Sequence, residues 1–348
     1  MIICHTPNNY ANNPYLQAYG LRKYGVKSYL LMPSYINPTT EKIWYGYKQM
    51  GNPYNIPIIY YHDTPSFLRQ LASLGNEGLD IVHLYGGGKF WHAAYSKLLG
   101  AKIIRQFFGS DIRSIKKRRE IAFNLFPEDG IVLSQVELAN RLTWRGALNR
   151  MIQLAVAVDP VFYEIPKIGG SDDEKIVFLP TRNDDFKKTS LAFDAWNRLR
   201  ELDKDVKLYA VAWGDNYPRL KETHANDPRV VWMPLLNRKE YLEMMRRSWI
   251  VWGQFGGAGH GGTELEAMAA RRPIFTNLNP ASMKLYWNPP LIQAENPEEL
   301  AQKTKQLLDN DEERKYITEK AFQWVQEVHG PFEIAAKLYK FYQRILEA

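Results

Sequence analysis

GGAGHGGTELEAMAARRP, residues 256–273, puts five glycines into seven positions and follows them at once with Thr263, Glu264, Leu265 and Glu266. The apolar run WIVWG, residues 249–253, leads into it, and PIFTN, residues 273–277, follows. A strand feeding a glycine loop, a short Ala/Met helix and a further strand is one unit of a parallel α/β sheet. Glycine weakens regular structure wherever it sits, so such a run serves the backbone. One reading is a plain turn. In the other, unobstructed N–H groups beside a helix N-terminus form a cradle for an anion such as a diphosphate. Thr263 is the expected N-cap, with Glu266 three residues on at the capping-box spacing.

The same alternation extends in both directions. Strand-like residues 176–180, 206–211 and 230–233 precede the glycine run, with a helical stretch at 188–202 after the first and one at 238–247 after the last. The first half repeats the texture, with apolar segments at 1–5, 26–32, 80–84, 101–108 and 130–134. Between the halves, DPVFYEIPKIGGSDDEK, residues 159–175, breaks it with two prolines, a glycine pair and a charge cluster. The pattern predicts two doubly wound, Rossmann-like α/β domains facing across a cleft, the default ligand site. The predicted domains are residues 1–162 and 163–327, followed by an amphipathic helical segment over 328–348.

Composition narrows the class. The chain has 348 residues, 45% hydrophobic and 24% charged, as in an ordinary globular protein. It holds no window of the ~20 apolar residues a membrane span needs, and residues 1–14 lack a basic and apolar leader pattern. Cys4 is the single cysteine, which excludes an internal disulfide and a cysteine-based metal site. A cytoplasmic location is expected. The net charge of +7, from 45 basic and 38 acidic residues, favours anionic partners. No G-x-S-x-G elbow or H-E-x-x-H helix occurs. Asp203/Asp205 and Asp309/Asp311 have Asp-x-Asp spacing in helix-end contexts and read as solvated charge.

FLPTRNDDFKKTSLAF, residues 178–193, occupies the matching place after the first strand of the second half. Arg182 stands at the strand end and Lys187 five residues later, both at the carboxyl edge of the sheet, where open α/β sheets bind ligands. Alone, two loop cations are ordinary surface. Opposite a glycine cradle they suit a leaving diphosphate, and a carboxylate such as Glu266 suits a ribose diol.

These residues resemble the GT-B fold, family-4 nucleotide-sugar glycosyltransferases. GHGGTELEAMAARRPIF, residues 259–275, is similar to that family's Glu-Gly-Phe-Gly…Glu-Ala-Met-Ala…Pro segment. TRNDDFKK resembles its Gly-Arg…Lys-Gly segment, AVAVDPVFY its Asn-Gly-Val-Asp…Phe stretch, and FFGSDIR, residues 107–113, its His-Gly-Ser-Asp turn. The resemblance implies transfer of a sugar, with retention and without metal, from a UDP- or GDP-linked donor to a hydroxyl acceptor. It assigns Arg182 and Lys187 to catalysis at the diphosphate and Gly259, His260, Gly261, Gly262, Thr263 and Glu266 to the donor. Gly86, Gly87, Ser110 and Asp111 fall to the acceptor side, for a glycan, lipid-linked or small-molecule acceptor. It also implies that the C-terminal helix crosses back onto the first domain.

The match departs from the family at three places. Ala258 stands where the family has a sugar-facing Glu, His260 where it has Phe, and Phe108 where it has the His before Gly-Ser-Asp. Glu264 points from a different helix face than Glu266, and His83 reads as a packed structural histidine. A degenerate GT-B binding protein and a sugar-nucleotide epimerase are the alternatives. The basic run IRSIKKRRE, residues 112–120, suits an anionic membrane surface, with a solvated helix as the plain alternative. No recognisable nucleic-acid module accompanies it.

Overall fold

A computed structural model of the protein describes residues 1–9, 12–44, 46–86, 90–109, 111, 128–166, 174–256, 259 and 261–348. The chain forms two compact units, Met1–Ala157 with Val328–Ala348, and Val158–Glu327. Each is built on a parallel sheet.

Among the described residues the first unit has seven strands: β1 Ile2–Thr6, β2 Lys27–Pro33, β3 Ile58–Tyr61, β4 Ile81–Tyr85, β5 Lys102–Phe107, β6 Gly130–Leu133 and β7 Met151–Gln153. Their order is β3-β2-β1-β4-β5-β6-β7. The inner strands are largely apolar because both faces are covered; all of β4 and β6 is buried. The helix Asn13–Leu21 covers one face, and the C-terminal helix Pro331–Glu347 lies against it with Ile334, Leu338 and Phe341 in the shared core. Gly20 permits that approach, since a Cβ there would sit 2.4 Å from the Pro331 carbonyl oxygen.

The second unit has five described strands: β8 Ile176–Leu179, β9 Lys207–Val211, β10 Val230–Met233, β11 Ile250–Trp252 and β12 Ile274–Phe275. Their order is β10-β9-β8-β11-β12, all parallel. Phe193, Trp196 and Leu199 of the helix Thr189–Leu202 fill the core with Trp252 and Leu300. Arg272, 1% exposed, donates to the carbonyls of Met245, Arg246 and Ala270. That one guanidinium joins the C-terminal ends of the helices Arg238–Arg247 and Gly262–Ala269, where the helix dipoles favour a cation.

In each sheet the winding reverses beside the first strand, between β1 and β4 and between β8 and β11. Such switch points are where loops diverge and ligands enter. No described helix is long and apolar enough to cross a membrane.

Candidate functional site

The switch point of the second sheet joins the two stretches singled out by sequence. After β8, Asp184 organises its loop: one carboxylate oxygen accepts the Arg182 Nε–H and the other the backbone N–H of Lys187 at 2.7 Å. The Arg182 side chain keeps 46% exposure and lies over the Trp213 ring at 5.7 Å. Lys187 reaches across to the loop after β11, where its ammonium donates to the side-chain oxygen of Gln254. The backbones also meet. Phe255 N–H donates to the Lys187 carbonyl at 2.9 Å, and a Cβ on Gly256 would lie 2.2 Å from the Phe186 carbonyl oxygen. Glycine at 256 is therefore a steric requirement of the loop contact.

Gln254 is the hub of the glycine loop. Besides Lys187 it holds the Gly259 carbonyl through Nε2, while its own carbonyl accepts the Thr276 hydroxyl at 2.5 Å. Its backbone N–H donates to Glu264 Oε1 at 3.0 Å, and Gly261 N–H donates to Glu264 Oε2 at 2.6 Å. This corrects the expected cap. The helix starts at Gly262 with Gly261 as N-cap and Glu264 as its third residue, so Thr263 lies inside the first turn and Glu266 beyond it. The buried Glu264 carboxylate can reach back to the Gly261 amide, and a cap at Thr263 would forfeit that bond. One consequence concerns the cradle itself. The Gly261 amide is engaged by Glu264, which leaves the Gly262 and Thr263 amides without intrahelical partners at the helix start.

Glu266 lies one turn further along. Its Oε1 accepts from Arg238 Nη1 at 2.7 Å, and Arg238 Nη2 stands 3.5 Å from Asp159. The guanidinium also faces the Phe162 ring at 4.5 Å. Burial alone would lower the Arg238 pKa; the Glu266 and Asp159 carboxylates outweigh it and raise it. Burial, then the Glu266 carboxylate, push the Tyr241 phenol well above its ordinary range.

In the first unit, Gly86 follows β4 with φ +68° and donates its N–H to Gln106 at 2.8 Å. Asp111 accepts the Gly109 N–H at 2.8 Å and the Phe108 N–H at 3.1 Å, closing the turn after β5. His83 is fully buried with Nδ1 2.6 Å from the Tyr342 hydroxyl, the packed histidine expected. Gly87, Ser110, Ala258, His260 and the basic run 112–120 lie outside the described residues. Asp203 differs from expectation: it is 6% exposed and paired with Lys175 at 3.2 Å. Desolvation alone would have disfavoured it, but the lysine and the Asp205 N–H offset that. Among the described residues no group of three or more His, Cys, Asp and Glu is placed to hold a metal ion.

Residues 173–310 match the family described as Glycosyl transferases group 1. The matching stretch contains both loops of the site. No curated protein matches the chain. Among solved structures, Anabaena HepE in complex with UDP and glucose is 13% identical with a TM-score of 0.69, covering 98% of this chain and 99% of that one. A Staphylococcus aureus TarM mutant with Fondaparinux, α-GlcNAc-glycerol and UDP is 12% identical with a TM-score of 0.68, covering 98% and 99%. A putative UDP-N-acetylglucosamine 2-epimerase from Listeria monocytogenes is 13% identical with a TM-score of 0.64, covering 99% and 96%. These likenesses show the fold, which is GT-B.

Two residues of the site escape a reading of the sequence. Gln254 carries one weak signal, a polar side chain at a strand end directly before the glycines. Arg238 carries none, because RKEYLEMMRR has the composition of a solvated helix. Its partners Glu266 and Asp159 come from distant parts of the unit.

Proposed function

We propose that the protein is a retaining, metal-independent glycosyltransferase of the family-4 type, moving a sugar from a nucleoside-diphosphate sugar to a hydroxyl acceptor. The carrying observation is the junction of the Arg182–Lys187 loop with the glycine loop at the β8/β11 switch point, within the region matching Glycosyl transferases group 1. Arg182, Lys187 and the Gly262 and Thr263 amides supply positive potential to a diphosphate. Such preorganised charge is the largest contribution to many transfer reactions. In the step itself the bond from the anomeric carbon to the diphosphate oxygen breaks. The acceptor oxygen bonds to that carbon on the same face, and its proton passes to the departing diphosphate. Gly259 and His260 would line the donor, and Glu266 would take the ribose diol. Gly86, Gly87, Ser110 and Asp111 fall to the acceptor. Neighbours of this fold hold UDP, which favours a uridine donor over a guanosine one. We place the reaction in the cytoplasm, on a glycan, lipid-linked or small-molecule acceptor, with the basic run 112–120 as a peripheral membrane contact.

The test is a panel of UDP- and GDP-sugars incubated in chelator with an acceptor mixture, reading released nucleoside diphosphate and product anomer. Turnover in chelator with retained configuration is expected. Ala258, where the family has a sugar-facing acid, favours one second reading, a binding protein that has lost transfer. Tight nucleoside diphosphate binding without turnover of any donor, with turnover restored by Ala258→Glu, would establish it.

A further inference from the structure

Glu266 does not stand alone in the second unit. One of its oxygens is held by Arg238 Nη1 at 2.7 Å, and the side chain keeps 17% exposure. Arg238 is itself fixed from three directions. Its second arm faces Asp159 at 3.5 Å, its plane lies over Phe162 at 4.5 Å, and its helix is tied to the helix bearing Glu266 through Arg272. Asp159 is in turn anchored by accepting the Val161 N–H at 3.3 Å. A planar guanidinium with fixed donors in two directions can pass such an orientation on; a lysine ammonium cannot.

We propose that Arg238 is a positioning residue for nucleotide recognition, aiming the Glu266 carboxylate at the two hydroxyls of a ribose diol while Asp159 steadies the guanidinium from the far side. This rests on Glu266 as the ribose contact. A buried ion cluster can also be purely structural, and the two roles separate by experiment. A structural cluster, once weakened, lowers affinity for every ligand of the unit alike. A positioning residue acts through the diol alone.

The experiment titrates UDP and GDP, and their 2′,3′-dideoxy counterparts, into the full-length protein by calorimetry. Wild type is expected to bind the ribose form at least about tenfold tighter than the dideoxy form, the scale of one hydrogen bond to a charged group. Arg238→Lys should remove most of that preference and leave dideoxy affinity within about twofold of wild type. Asp159→Asn leaves the Arg238–Glu266 contact in place. It should reduce the same preference by a smaller factor, and it serves as the test if Arg238→Lys does not fold. Equal losses for both ligand forms, or a diol preference that survives in the folded variant, would overturn the proposal. So would a wild type that binds both forms equally. A wild type that binds no nucleoside diphosphate of any kind would instead sink the glycosyltransferase reading, and this inference with it.

Discussion

Glu264 receives the backbone N–H groups of Gly261 at 2.6 Å and Gln254 at 3.0 Å, one on each carboxylate oxygen. The loop between β11 and its helix is thereby closed onto a single side chain with 2% exposure. Both oxygens of the acid beside the glycines are thus taken up by backbone amides of its own loop. Gly253 makes room for the clamp, since a Cβ there would lie 2.4 Å from Glu264 Oε1. Glu264→Ala leaves two amide donors without their acceptor, and is expected to lower unfolding free energy by about 2–4 kcal/mol. Nucleoside diphosphate affinity should fall with it. Urea denaturation followed by calorimetry checks both, and an unchanged unfolding midpoint would show that the clamp is dispensable.

Gln254 is the neutral link between the Lys187 ammonium and the Gly259 carbonyl. Gln254→Glu sets a carboxylate against that ammonium and beside the place of the diphosphate. Affinity for UDP should fall at least about tenfold, the scale of one charge interaction in a partly desolvated site. The melting temperature should fall modestly, because the strengthened Lys187 contact only partly offsets a carboxylate oxygen that faces the Gly259 carbonyl in place of the donating amide. Titrations at low and high salt provide the check. A repulsive origin predicts a deficit that shrinks as salt rises, whereas a deficit independent of salt would assign the loss to loop geometry.

What the sequence disclosed follows the range of the forces involved. Inner strands such as β6 and β8 are legible because a strand buried on both faces tends to a continuous apolar run, as GIVL and IVFL are. The edge strands β3 and β7 are not. They are short and only partly buried, and IIYY and MIQ are too brief to carry a pattern. In the site, Arg182 and Lys187 are readable from their place after β8. Glycine at 256 is readable as a need for space, although its partner, the Phe186 carbonyl, is not. The cap is misplaced because Thr carries a side-chain oxygen that can accept a helix amide and Gly does not, while the deciding interaction is a buried side chain. Arg238 is the extreme case, since its ion pairs span 28 residues to Glu266 and no local spacing encodes them.

The first unit carries a buried polar layer whose effect is on stability and is expected to show in its pH dependence. His5 Nδ1 lies 2.6 Å from the Tyr85 hydroxyl, which donates to Gln17 at 2.7 Å; Gln17 then reaches Gln106 at 3.0 Å. Burial pulls the His5 pKa down to about 3, and burial together with His5 holds His83 well below its ordinary range. In the unfolded chain a histidine titrates near 6.5. Above that pH the imidazoles are neutral in both states and contribute no dependence. As the pH falls below about 6.5 the unfolded chain takes up protons that the folded chain refuses, so stability declines, and the His5 contribution levels off near pH 3. The slope is roughly 1.4 kcal/mol per pH unit for each such group. At pH 5, His5 alone therefore withdraws about 2 kcal/mol, and His83 acts in the same direction. His5→Asn is expected to lose about 2 kcal/mol less than wild type between pH 7 and pH 5, whatever its stability at pH 7. Denaturant titrations of both proteins at the two pH values measure the difference. Equal losses would mean that His5 is protonated in the folded protein or shielded in the unfolded one, and His5 would then have no part in the acid response.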